Sequence, residues 1–308
     1  MSMDFVIGVI LALLAGTITN LGFLLQKKGV NSIPLDQRGK GYIRRLARKP
    51  VWLTGIAFQF ALGGALTFFA VKYIGPSLFP GLAAFGLVVL ALGSVRLNHE
   101  SLNKVEIAGI FILIAGIALV GSSGLQIEQE TALAAVSDGP TIVRIAVFTV
   151  LAMAVWGGLH LASYRVSRYR AAVMAFSNGI AAGMIFFWLS PLTATMPVVF
   201  AGDGDTTQII MMVVSGLALA IFGILGPWQL QIVFKHGQAS NIVPVVGITQ
   251  QTVPVIVYFA VYALPLPSPM SIYYISIGVF LIVSSGFLLG RRQAETLVQP
   301  AEAVAASD

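Results

Sequence analysis

Apolar residues fill this chain in blocks of about twenty, separated by short polar breaks, from residue 5 to residue 290. A helix of about 20 residues crosses a hydrocarbon core of about 30 Å. The pattern therefore predicts nine spans, at about 5–25, 51–72, 76–95, 105–122, 142–163, 171–191, 208–232, 240–263 and 270–290. The expected fold class is an all-α polytopic membrane protein. Composition agrees: 57% of residues are hydrophobic and 10% charged, with a mean hydropathy of +0.90, whereas soluble domains carry about 25% charged residues. The first block follows Asp4 rather than basic residues and lacks a small-residue cleavage site, so a retained helix is expected there rather than a signal peptide. There are no cysteines, which excludes disulfides, thiolate metal sites and cysteine catalysis.

The polar breaks sort by charge. The first, "QKKGVNSIPLDQRGKGYIRRLARKP", holds eight basic residues against Asp36 alone. Basic loops stay in the cytoplasm, which puts the N-terminus outside and the C-terminus inside. Every later loop then agrees. Sixteen of the 18 Lys and Arg fall inside, and only Lys72 and Arg144 fall outside, where Glu128, Glu130, Asp138, Asp203 and Asp205 also lie. The formal charge of +6 thus reflects orientation and contact with the lipid bilayer, and no nucleic-acid partner is expected. The expected organisation is a first half of four spans over residues 1–125, an external loop over 126–141, a second half of five spans over 142–290, and a disordered cytoplasmic tail over 291–308.

The halves repeat one another weakly but in order. Asn20 pairs with Asn178, Pro80 with Pro244 and Gly109 with Gly278, at offsets of 158, 164 and 169 residues. "FFAVKYIGPSLFPGLAAFG" and "IVFKHGQASNIVPVVG" each carry a Lys, a Gly-containing turn and a Pro early in the next helix. The charge argument makes paired helices run in opposite directions. Repeats of inverted topology characterise alternating-access carriers, whose substrate binds near the midplane between the halves.

The same residues carry a family resemblance. "NLGFLLQKKGV", then "GPSLFPGLAAFGLVVLALGSVRLNHESLNKVEIAGIFILIAGIALVG", resembles the first half of the NIPA-type magnesium transporters of the drug/metabolite transporter superfamily. "QLQIVFKHGQASNIVPV" is similar to that family's second-half junction. The resemblance implies a carrier fold, Mg²⁺ as cargo, no cofactor and a location in the plasma (cytoplasmic) membrane. Larger members have ten helices as two inverted fives, so a missing first helix accounts for the unpaired fifth span. Glu100 stands where the superfamily carries an acidic residue after the helix, but the surrounding turn diverges.

No Asp or Glu lies in the middle of any span; Asp4, Glu100 and Glu106 sit at helix ends. Intramembrane ionisable residues usually mark function, so any cation would meet neutral oxygens and keep part of its water, as Mg²⁺ prefers. No metal ligand set can be named. The candidate pathway residues are Asn20, Gln59, Trp156, Asn178, Trp228, Gln229, Gln250 and Gln251. Pro80, Pro244, Gly247 and Pro254 are candidate helix breaks or gates, since prolines free backbone carbonyls that need a protein or water partner. For Asn20 and Asn178, plain interhelical hydrogen bonding is an equal reading. His160 is a gate candidate set against simple packing, and His99 and His236 are expected in solvated turns. A small organic solute competes with Mg²⁺ as cargo, given the aromatic and amide side chains. A membrane serine hydrolase on "GSSG" at 121–124 would need a base that His160, near the other end of its helix, does not offer. A non-transporting subunit and a homo-oligomer are both compatible with the sequence.

Overall fold

The computed structural model describes residues 3–296 apart from 35–36, 40, 101, 126 and 167–168. Its regular structure is helical. α1 (Met3–Asn31) leads through the short α2 (Tyr42–Leu46) to α3 (Pro50–Ile56), which passes by a π-helical segment, Ala57–Leu62, into α4 (Gly63–Ala83). α5 (Gly86–Asn98), α6 (Lys104–Ser122), α7 (Gln129–Ser137) and α8 (Gly139–Ala162) follow. α9 (Arg170–Ala201), α10 (Thr206–Val233), α11 (Ala239–Ile256), a second π-helical segment (Val257–Val261) and α12 (Ser271–Thr296) complete the chain. Eight stretches among the described residues are helical, long and apolar enough to cross a bilayer. The protein is an integral membrane protein. The ninth expected span is α12, whose apolar described part, Ser271–Ser285, is shorter than the other eight.

Helix ends follow local chemistry. Asn103 and Glu106 form a capping box at the start of α6, and Asp205 and Gln208 form one at α10. Asp138 caps α8 through the Thr141 N–H. Such caps satisfy N–H groups that the first turn leaves free. The segment expected as an external loop is partly folded, because α7 buries Ala132 and Val136 against α8, α9 and α10. α9 runs ten residues past the expected end of its span and contains Pro191 and Pro197. The Thr195 hydroxyl donates to the Pro191 carbonyl at 2.8 Å in this stretch.

Glycines set the helix directions. On α1, Gly29 faces Trp52, Gly22 faces Gly55, and Thr19 faces Gly63, so α3 and the start of α4 run antiparallel to α1. Further along, Gly16 meets Ala83 and Gly86, Leu24 meets Gly93, and the Leu24 carbonyl accepts from Asn98, so α5 runs parallel to α1. A straight helix from Gly63 to Ala83 would be about 30 Å long, yet both its ends touch α1 within one turn. The chain therefore reverses inside α4, in the region of the expected Lys72–Pro80 turn; those two side chains lie outside the described residues.

The second half is arranged likewise. Asn178 and Leu192 on α9 face Gly226 and Gly216 on α10, which is antiparallel. Gly179 and Gly183 face Val246, Thr249 and Val253 on α11, which is parallel. α6 and α12 pack antiparallel, with Gly109 at Leu289 and Gly116 at Gly278. Small residues let these backbones touch, since between lipid-embedded helices dispersion and polar contacts replace the hydrophobic effect.

Candidate functional site

Asn20 lies past the middle of α1, where Gly16 and Gly86 bring α1 and α5 into backbone contact. Its Nδ2 donates to the Gly16 carbonyl of its own helix at 2.8 Å. Its Oδ1 is buried without a hydrogen-bond partner. A buried polar atom left unpaired costs about 1–3 kcal/mol, so a free acceptor here is a feature to be explained. Seven residues on, Lys27 reaches the Phe234 and Gly237 carbonyls just before α11 begins. Asn20 is thus about 10 Å above that level, and Gly247 about 13 Å above it. α1 and α11 touch. A side chain added at half-buried Gly247 would meet open space. Gln250 and Gln251 follow one turn later, both half-buried.

Gln59, Trp156 and Gln229 fall into two amide networks that share α10. In the first, Trp52 Nε1 donates to Gln231 Oε1 (2.9 Å), Gln231 Nε2 to Gln26 Oε1 (2.7 Å), and Gln26 Nε2 to Gln59 Oε1 (2.6 Å). Gln59 sits in the π-helical segment, a distortion that recurs at functional sites. In the second, Trp156 Nε1 donates to Gln229 Oε1 (2.9 Å), and Gln229 Nε2 lies 2.9 Å from Ser177 Oγ and 3.2 Å from His160 Nδ1. Asn178 Nδ2 bridges to the Gly226 carbonyl at 2.7 Å, the interhelical role that was one of its two readings. Every amide oxygen in the two glutamine networks already accepts a hydrogen bond. They order helices more readily than they bind a cation. Trp228 is 41% exposed and has no described contact with Gln229's network. Pro244 is buried and Pro254 exposed; the side chain of Pro80 is outside the described residues.

Sequence reasoning missed a third group, at the basic end of the bundle. Lys27, Glu100 and Glu106 are all buried there, at 7%, 6% and 0% exposure. Glu106 Oε1 accepts from Asn241 Nδ2 at 2.8 Å, and Asn241 Oδ1 is left unpartnered. The available signal was placement: each acid closely follows or begins a helix whose neighbours turn at the same face. Among the described residues no three His, Asp or Glu gather as a metal-binding group.

His236, expected in solvent, is half-buried. Burial, with Arg170, Lys235, Lys27 and Arg38 nearby, pushes its imidazole from 6.5 down to about 4. Between those values the unfolded chain binds a proton that the folded one refuses, so stability falls as pH drops through this window. The melting temperature in detergent should decline between about pH 7 and about pH 4.5, and His236→Gln should flatten that decline. An equal slope in both proteins would show that His236 stays solvated.

The hydroxyls of Ser122 and Ser123 donate to carbonyls of their own helix, Ala118 and Val120. His160 is held by Gln229 and stacks on Trp156. Neither of these two serines is therefore paired with a base among the described contacts. Compared with known families, residues 3–226 match the family model described as magnesium transporter NIPA. The chain belongs to the NIPA magnesium transporter family. The match covers α1 to most of α10 and stops just before Gln229 and the turn into α11. No curated protein and no solved structure gives a significant match. In this NIPA-family chain the buried amides thus lie inside the matched region, apart from Gln229, Gln231 and the α11 residues.

Proposed function

We propose that the protein carries Mg²⁺ across the cytoplasmic membrane by alternating access, between halves inserted in opposite orientation. The family match carries the cargo assignment. Three features support the mechanism. In each half the second helix is antiparallel to the first and the third is parallel to it. α6 and α12, the last helices of the halves, are antiparallel and meet at Gly116 and Gly278. The basic loops collect at one face, as positive-inside orientation requires.

The proposed path runs past Asn20, Gly247, Gln250 and Gln251 between α1 and α11. Its neutral oxygens suit an ion that retains several waters, because Mg²⁺ dehydrates reluctantly and binds through few protein ligands. Asn20 Oδ1, free and buried, is the oxygen best placed to accept from a bound water or to meet the ion. Purified protein in liposomes should take up Mg²⁺ down its gradient. Gln251→Leu should reduce that uptake roughly tenfold, while the melting temperature stays within a few degrees, because the half-buried amide makes no described hydrogen bond to lose. Well-folded protein that moves no Mg²⁺ but exchanges a labelled metabolite would transfer the cargo to a small organic solute. Unaltered flux in Gln251→Leu would move the path away from that face of α11.

A further inference from the structure

The turn between α10 and α11 is held at both ends by the first half of the chain. Lys27 Nζ donates to the Phe234 carbonyl at 2.5 Å and the Gly237 carbonyl at 2.6 Å. Phe234 is the C-cap of α10, where carbonyls lack intrahelical partners, and Gly237 lies in the turn that follows. Glu100 takes the other side: Oε1 accepts from Ala239 N (2.7 Å), and Oε2 from Ser240 N (3.0 Å) and Ser240 Oγ (2.8 Å). Gln238, the residue in the N-cap position of α11, makes no side-chain cap, so Glu100 supplies the cap from another helix. A cation sits at a helix C-terminus and an anion at a helix N-terminus, each matching the macrodipole.

Around this clamp lie the other bonds between the halves: Gln231 to Gln26, Trp52 to Gln231, Tyr42 to the Gln231 carbonyl, Lys235 to the Arg38 carbonyl, and Asn241 to Glu106. Among the described side-chain hydrogen bonds between the halves, only Ser271 to the Ser123 carbonyl lies at the opposite face. The described polar ties between the halves are thus concentrated at one end of the interface, with a single one at the other.

We propose that Lys27 and Glu100 are the cytoplasmic gate of the transporter, closed in this structure by clamping the Phe234–Ser240 turn. This rests on the carrier reading. The chemistry suits a gate better than a permanent seal. Buried charges give up hydration to form such bonds, and on exposure they regain it, so opening exchanges one set of polar contacts for another. An apolar plug of the same area would instead lose its burial outright. The turn lies beyond the matched family region.

The chain lacks cysteine, so a single reporter needs no prior removals. Gly247→Cys, where the added side chain meets open space, is reacted with a membrane-impermeant maleimide in vesicles of each orientation. In the otherwise unmodified protein it should label from the extracellular side and resist labelling from the cytoplasmic side. Adding Lys27→Met or Glu100→Gln should raise the cytoplasmic labelling rate roughly tenfold or more, with a matching fall outside, as a shifted two-state equilibrium requires. Lys27→Arg, which keeps the donors and the charge, should restore the original pattern. Should Lys27→Met fail to fold, Glu100→Gln decides, because its amide still accepts one of the α11 N–H bonds. Cytoplasmic labelling that both folded variants leave unmoved overturns the proposal, as does a reporter that already labels freely from the cytoplasm. Labelling needs no cargo: shifted labelling without Mg²⁺ flux would remove the cargo and keep the gate, and intact flux with unmoved labelling would remove the gate alone.

Discussion

Gly86→Val should leave no stable protein. A Cβ at residue 86 would strike the Gly16 carbonyl, and the nearest side-chain atom, Asn20 Nδ2, would be 2.5 Å away. The obstacle is backbone, which cannot rotate aside as a side chain can. Gly16 is equally closed, because its own Cβ would strike the Ala83 carbonyl. Admitting the side chain requires α5 to lift away from α1, which would loosen Gly93 from Leu24 and Asn98 from the Leu24 carbonyl. Overpacking a core costs about 1–3 kcal/mol when side chains can yield, and more is expected where they cannot. A total stability of about 5–15 kcal/mol is exhausted by that larger cost, not by the ordinary one. Size-exclusion profiles in mild detergent should show aggregate in place of the monodisperse peak. Gly64→Ala is the control: nothing lies within 4 Å of its Cβ, and alanine favours a helix over glycine by about 1 kcal/mol. A monodisperse Gly86→Val protein would mean that α1 and α5 do not meet at these glycines.

Asn20→Ala should separate transport from stability. The side chain makes one hydrogen bond, to the Gly16 carbonyl four residues earlier, and its oxygen is unpaired. Removing an atom already unsatisfied relieves a cost, and removing the short local bond adds one of about 1 kcal/mol. The two nearly cancel, so the melting temperature should shift by only a few degrees. Mg²⁺ uptake should fall by roughly tenfold or more, the scale expected when a buried hydrogen-bonding group that meets the cargo is lost. Reduced melting temperature with normal uptake would return Asn20 to a purely structural role.

Much of the architecture was legible one residue class at a time. Hydropathy located the spans, because burial in lipid demands an apolar side chain at nearly every exposed position. Arg and Lys counts supplied the orientation proposed for the two faces. Boundaries slipped where two signals collided. α9 continues through Pro191 and Pro197, because a proline disrupts a helix only through one missing donor and a local clash. α7 was missed because nine residues with modest hydropathy carry no span signal.

The candidate site was less legible, for a different reason. Trp228 and Gln229 are adjacent, yet one is exposed and the other fully buried. Nothing in composition separates them; the rotation of α10 does. Lys27 satisfies the charge rule as a solvated loop residue, and Glu100 reads as an ordinary acid at a helix end. What they cap lies more than 130 residues away in the chain, and a single sequence carries no trace of that partner. Asn20 was picked out by its place opposite Asn178 in the repeat.

The reciprocal contact at Gly116 and Gly278 has a consequence for descent. A Cβ on either glycine would press on the other's carbonyl oxygen, at 2.8 Å and 2.9 Å. Neither position can drift first, and no compensating change at its counterpart makes room, since glycine has nothing further to give up. Most core positions tolerate substitution by exchanging volume with a neighbour; this seam has no such currency. The α6–α12 crossing should therefore stay fixed across divergent members while the helices around it vary, and related chains should be alignable outward from that pair.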